Sequence, residues 1–171
     1  VQNAIDLFAA IGLGTPRVAL ISAVETVNQD IPSTLDATAL CKMAERGQIT
    51  GALLDGPLAF DNALSEEAAA IKGIRSQVAG RADILVMPDL ESGNILLKQL
   101  VLLSGAQMAG IVMGAQAPII LTSRSSGAIA RKASCALALL VARSHKPTQS
   151  KIDDEMECHQ EELPKVAKGG Q

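Results

Sequence analysis

Five short apolar runs, at residues 17–24, 49–55, 84–87, 110–113 and 118–122, alternate with segments whose apolar residues recur at helical spacing. Runs of that length, apolar almost throughout, belong to strands covered on both faces. Strands of this kind separated by helix-length segments define an α/β fold, a mainly parallel sheet flanked by helices. The helical stretches are expected at residues 5–11, 64–78, 91–105 and 126–143, with a further helix opening near Ser33. Ser33 and Asp36, spaced as in a capping box just after Pro32, start that helix; Leu35, Ala39, Leu40 and Met43 share one face, and Gly47 stops it. The 91–105 segment carries Ile95, Leu96, Leu97, Leu100, Val101 and Leu103 nearly all round its axis, which predicts a buried helix.

The core is made of small side chains. Apolar residues are 48% of the 171 positions, yet Trp and Tyr are absent and Phe occurs twice. Ala, Leu, Ile, Val and Met therefore fill the interior and let helices lie close to a sheet. A net charge of −3 and the lack of aromatic platforms argue against a nucleic-acid surface. No run approaches the roughly 20 apolar residues of a membrane helix. Cys41, Cys135 and Cys158 are widely spaced and form no CxxC pair, so free thiols in a cytoplasmic protein are expected, with Cys41 and Cys135 packed inside. The composition turns polar near His145, and residues 145–171 read as a solvated, disordered tail. The two histidines, His145 and His159, both fall there, so the body holds neither a Ser-His-Asp triad nor a histidine zinc site; a carboxylate is the expected general base.

Ligands of open α/β sheets collect beyond the carboxyl ends of the strands. Glu25, Thr26 and Asn28 follow the first run, Asp55-Gly56-Pro57 with Asp61 and Asn62 the second, and Asp89 through Glu91-Ser92-Gly93-Asn94 the third. Ser123-Arg124-Ser125-Ser126-Gly127 follows the fifth. Hydroxyls and backbone N–H groups at a helix start, beside a guanidinium, suit an anion such as phosphate. The bland counterpart is a helix cap with a solvated arginine. Asp55-Gly-Pro and Glu91-Ser-Gly-Asn have bland readings too, as a strand exit and a helix start.

Taken in order, Ser22-Ala-Val-Glu25-Thr, Asp55-Gly-Pro-Leu-Ala-Phe-Asp61-Asn, Met87-Pro-Asp-Leu-Glu91-Ser-Gly-Asn94 and Leu121-Thr-Ser123-Arg124 resemble the motifs of the phosphate acetyltransferase and phosphate butyryltransferase family. Residues 32–37 and 49–51 lean toward the butyryl-type or hydratase-fused branch. The likeness spans about 140 residues. It implies an isocitrate/isopropylmalate dehydrogenase-like fold of two α/β domains with a cleft between them. Only the later half of the family is matched and the chain opens at Val1, so the N-terminal half is expected upstream. Residues 1–105 would be most of the second domain, and 106–144 would return to the first.

The implied reaction joins acyl-CoA and phosphate to give acyl phosphate and CoA. Coenzyme A is then a substrate and no cofactor is permanently bound. Ser123 and Arg124 would act on the reacting oxygens, while Asp55, Gly56, Pro57, Glu91, Ser92, Gly93, Asn94 and Ser126 would line the substrate cleft. The resemblance also implies a homo-dimer in the full-length form. The acetyl branch carries a carboxylate seven residues after the serine, where this chain has Ala130, and the butyryl-like branch follows Ser-Arg with Ala-Asp, where this chain has Ser125-Ser126. A dehydrogenase of the related fold would gather aspartates for a divalent metal, and no such cluster stands in the sequence, so no metal is expected. A second possibility is an inactive remnant that only binds CoA or a partner chain.

Overall fold

The computed structural model describes residues 1–124 and 126–144; Ser125 and the 145–171 segment, read above as a tail, lie outside the described residues. Three parallel strands in the order β2-β1-β3 form the main sheet: β1 (Arg17–Ile21), β2 (Leu53–Leu58) and β3 (Ile84–Val86). Alternation along β1 sends Val18 and Leu20 to one face and Ala19 and Ile21 to the other, all of them buried. Val18 and Leu20 meet Ile5, Ala37 and Ile49 beneath α1 (Gln2–Ala10) and α2 (Pro32–Glu45). Ala19 and Ile21 meet Leu58, Ala63, Ala69 and Val78 beneath α3 (Phe60–Leu64) and α4 (Glu66–Ile71). The small-residue core expected from the composition is thus divided between the two faces of one central strand.

The Asp55-Gly56-Pro57 segment lies inside β2, not after it. Gly51 holds a left-handed φ of +83°, which delays the strand until Leu53. Ala19 pairs with Asp55 and Ile21 with Leu58, so Leu20 faces both Gly56 and Pro57 across a bulge. The edge position of β2 accommodates a proline, which has no N–H for a ladder; the Gly56–Pro57 bond is cis.

Several other expectations are corrected. The helix expected over 64–78 is reduced to α4: α3 ends at Leu64, Ser65 is extended and its hydroxyl caps α4 through the Ala68 N–H at 3.2 Å, and residues 72–78 are not helical. Ser33 does not cap α2; its hydroxyl pairs with that of Ser22 at 2.8 Å, and Pro32 occupies the first helical position. Most importantly, α5 (Leu90–Leu103) has no buried residue, and Leu102 and Leu103 are 76% and 82% exposed. An apolar helix needs a second element over each face, and only part of its surface meets the other described residues. Cys41 is half-buried, with its thiol pushed up to about 11 chiefly by desolvation, while Cys135 is exposed on the outer side of its helix; both are free.

The last two runs leave the parallel sheet. β4 (Ile111–Val112) and β5 (Ile119–Ile120) form an antiparallel ribbon. The ribbon and α1 pack against α6 (Ala128–Ser144). Ser134, fully buried, ties α6 to the ribbon by accepting the Gly110 N–H at 2.9 Å. Among the described residues no helix is long and apolar enough to cross a membrane.

Candidate functional site

The chain leaves β5 and turns once, the Ser126 N–H donating to the Ser123 carbonyl at 2.9 Å, before α6 begins at Ala128. Arg131, one turn into α6, holds the Ser126 carbonyl at 2.7 Å. This turn puts Ser123, Ser126 and Gly127 on the wall of a cavity of about 320 Å³. The opposite wall is α5, through Lys98, Val101 and Leu102, and the floor includes Met108. The Lys98 ammonium lies 3.5 Å from the Ser123 hydroxyl. Among the described residues Lys98 is the one charged residue in that lining, and none of them brings a carboxylate to it. Ala130, seven residues after Ser123, does line it. Arg124 is exposed at the same turn and makes no ion pair among the described residues.

Asp55 stands elsewhere. It lines a separate cavity of about 240 Å³ with Arg75 and Gln77, and accepts the Gly56 N–H at 2.8 Å. Gly56 is half-buried against Leu20 and Ala37, and Pro57 is buried. Glu91, Ser92, Gly93 and Asn94 form the first turns of α5. There Asp89 caps the helix, accepting the Ser92 N–H at 2.7 Å, and this bond holds its carboxyl below the usual range. The Ser92 hydroxyl donates to the Asp89 carbonyl at 3.1 Å, so its bonding is helix-start bonding. Pro88, just before, borders a third cavity of about 400 Å³ between α2 and the ends of β1 and β3. These three cavities share no lining residue. The structure therefore brings Ser123 and Ser126 together, and leaves the Asp55 and Glu91 groups in other neighbourhoods of the described chain.

Two lysines were not anticipated. Lys98 lies one helical turn beyond Asn94, a spacing that could have pointed to it. Lys72 is the centre of a polar cluster, 3.1 Å from both Glu25 and Asp61. Its ammonium lowers both carboxyls, and they raise it in turn. Asn62, fully buried, donates to Glu25 at 3.2 Å, and its Oδ1 has no partner among the described residues. Of Glu25, Asp61 and Asn62, all singled out in the sequence, the fold makes one group through a cation that pattern alone did not supply. Among the described residues no group of three or more His, Cys, Asp or Glu could hold a metal ion.

A three-stranded parallel sheet with helices on both faces, followed by an anion-suited turn at the head of a helix, places the chain among α/β proteins. Residues 1–139 match the family described as "Phosphate acetyl/butaryl transferase", and the chain belongs to that family. It is 64% identical over 149 residues to a phosphate acetyltransferase of Rhizobium meliloti, covering 87% of this chain and 47% of that protein. It is 50% identical over 142 residues to a phosphate butyryltransferase of Clostridium acetobutylicum, covering 83% of this chain and 47% of that one. A solved branched-chain phosphotransacylase from Enterococcus faecalis superposes with a TM-score of 0.74 at 36% identity, over 86% of this chain and 52% of the other. The chain thus spans about half the length of the relatives it matches.

Proposed function

We propose that the natural polypeptide carrying this chain is a phosphate acyltransferase of acetyl or butyryl type, joining acyl-CoA and phosphate to give acyl phosphate and CoA. A phosphate oxygen attacks the thioester carbonyl carbon; the C–O bond forms, the C–S bond breaks, and CoA leaves as the thiolate. Arg124 binds phosphate with its guanidinium, and the Ser123 hydroxyl donates to the reacting oxygen as charge builds on it. The observation that carries this reading is the Ser123–Gly127 turn on a cavity wall whose charge is wholly positive. Asp55, Gly56, Pro57 and the Glu91–Asn94 segment serve the cleft from the second α/β domain, residues 1–105. Residues 106–144 belong to the first, in an isocitrate/isopropylmalate dehydrogenase-like arrangement, and the working form is a cytoplasmic homo-dimer.

In the reverse direction the CoA thiol must lose its proton. Among the described residues the wall of the Ser123 cavity supplies no carboxylate for that. The deciding experiment measures CoA-dependent acyl phosphate formation by the natural polypeptide, with and without Arg124→Ala. Loss of phosphate contacts and of charge stabilisation at the reacting oxygens should lower turnover by about a hundredfold or more. Equal rates would dismiss the assignment of Ser123 and Arg124.

A second reading concerns the 171 residues taken alone: they bind CoA or a partner chain without turning over. The bare apolar sides of α5 and the separation of the Asp55, Glu91 and Ser123 groups favour it. Measurable acyl phosphate synthesis by the isolated chain would overturn it.

A further inference from the structure

Lys98 projects from α5 toward the head of α6, and its ammonium has no ion-pair partner among the described residues. It shares its cavity with Ser123, Ser126 and Gly127, and the remaining wall is neutral, with Val101, Leu102, Met108 and Ile129 supplying the apolar part. A partly buried cation against such a wall is poorly solvated and gains by meeting an anion. The Ser126 hydroxyl oxygen is buried in the same wall and has no hydrogen-bond partner among the described residues. The Lys98–Ser123 contact, at 3.5 Å, is at the long limit of hydrogen bonding. A phosphate oxygen would replace it with a shorter, charge-assisted bond and would also engage the idle hydroxyl of Ser126.

We propose that Lys98 is a phosphate-binding residue of this site, its ammonium and the Ser123 and Ser126 hydroxyls contacting the oxygens of one phosphoryl group. The proposal rests on the reading above that phosphate sits at Ser123. It adds a cation from α5 to the one supplied by Arg124, so that the anion joins two elements that otherwise touch little. Lysine suits this role as a point charge on a flexible stem, without the fixed fork geometry of arginine.

The test is calorimetric titration of inorganic phosphate into the full natural polypeptide, alongside its steady-state kinetics. Lys98→Met should weaken phosphate binding by roughly tenfold to a hundredfold, the worth of one charge-assisted hydrogen bond. The same variant should raise KM for phosphate and leave KM for acyl-CoA within about a factor of two, a change at the noise of affinity comparisons. Lys98→Arg, which keeps the charge, should restore most of the binding, and Lys42→Met, the same charge change on exposed α2, should leave it unaltered. If Lys98→Met does not fold, Lys98→Gln is read instead. Unchanged phosphate affinity in the Lys98 variants, an equal loss in Lys42→Met, or no phosphate binding by the parent overturns the proposal. A parent that binds phosphate through Lys98 yet makes no acyl phosphate sinks the enzyme reading and leaves this one standing. Turnover with an unchanged phosphate KM in Lys98→Met does the reverse.

Discussion

Gly56 stands in the β2 bulge, where a β-carbon would come within 2.6 Å of the Leu20 β-carbon and 2.9 Å of its carbonyl oxygen. Neither neighbour is the loose end of a flexible side chain, so Gly56→Ala must push β2 away from β1. The expected cost is about 1–3 kcal/mol, the range for overpacking a filled interior, read as a lower melting temperature in the natural polypeptide. A melting temperature equal to the parent's would show that the strand gives way freely. Asp55 and Gly56-Pro57 were placed after a strand from their turn-like chemistry, and that chemistry is what a bulge in an edge strand also requires. The two readings share residue types and differ only in what lies across the ladder. At the Ser123 turn, Arg124→Ala remains the residue-scale test of function, because it removes the planar fork that would grip an anion.

Strand β1 is tied to the segment leading into β3 by a paired contact. Arg17 donates through Nε and one terminal nitrogen to Asp83 at 2.9 and 3.0 Å, and its backbone N–H reaches the same carboxylate at 2.9 Å. The guanidinium and that N–H hold the Asp83 carboxyl below its usual range. A carboxyl depressed in the folded state adds stability above its unfolded value of about 3.9, and that stability drains away as pH falls through the folded value. Glu25 and Asp61, lowered by Lys72, have the same sign. Melting temperature should therefore fall on the acid side, and Asp83→Asn should flatten that limb, its curve meeting the parent's at low pH. Parallel curves for the two proteins would rule out this pair as a source of the acid sensitivity. The side chains are 37% and 28% exposed, so solvent screens the pair and added salt should reduce the difference. The helix elements were legible where a stop was local, as at Gly47, whose left-handed φ of +72° ends α2. The break at Ser65 was not, since the apolar spacing runs on through it.

At the scale of the molecule, α5 is the largest departure from a self-contained domain. Leu90, Ile95, Leu102 and Leu103 are all more than half exposed on a helix of 14 residues. An apolar surface of this extent draws other surfaces to it. The 171-residue chain alone should sediment as associated species. Leu102→Glu with Leu103→Glu should shift it toward monomer, unless association runs through another face. A strictly monomeric parent chain at micromolar concentration would contradict this. The chain covers about half of each relative.

By itself the sequence determined the α/β class, the small-residue core, the stop at Gly47 and the family, because periodicity, turn residues and spaced motifs act over short stretches of chain. Only the tertiary structure decided that Asp55-Gly-Pro is a bulge against Leu20, that the last two runs form an antiparallel ribbon, and that α5 is bare. It also decided that Lys98, and not a carboxylate, faces Ser123. Those outcomes depend on which surfaces meet in space, and apolar periodicity says that a face must be covered without saying by what.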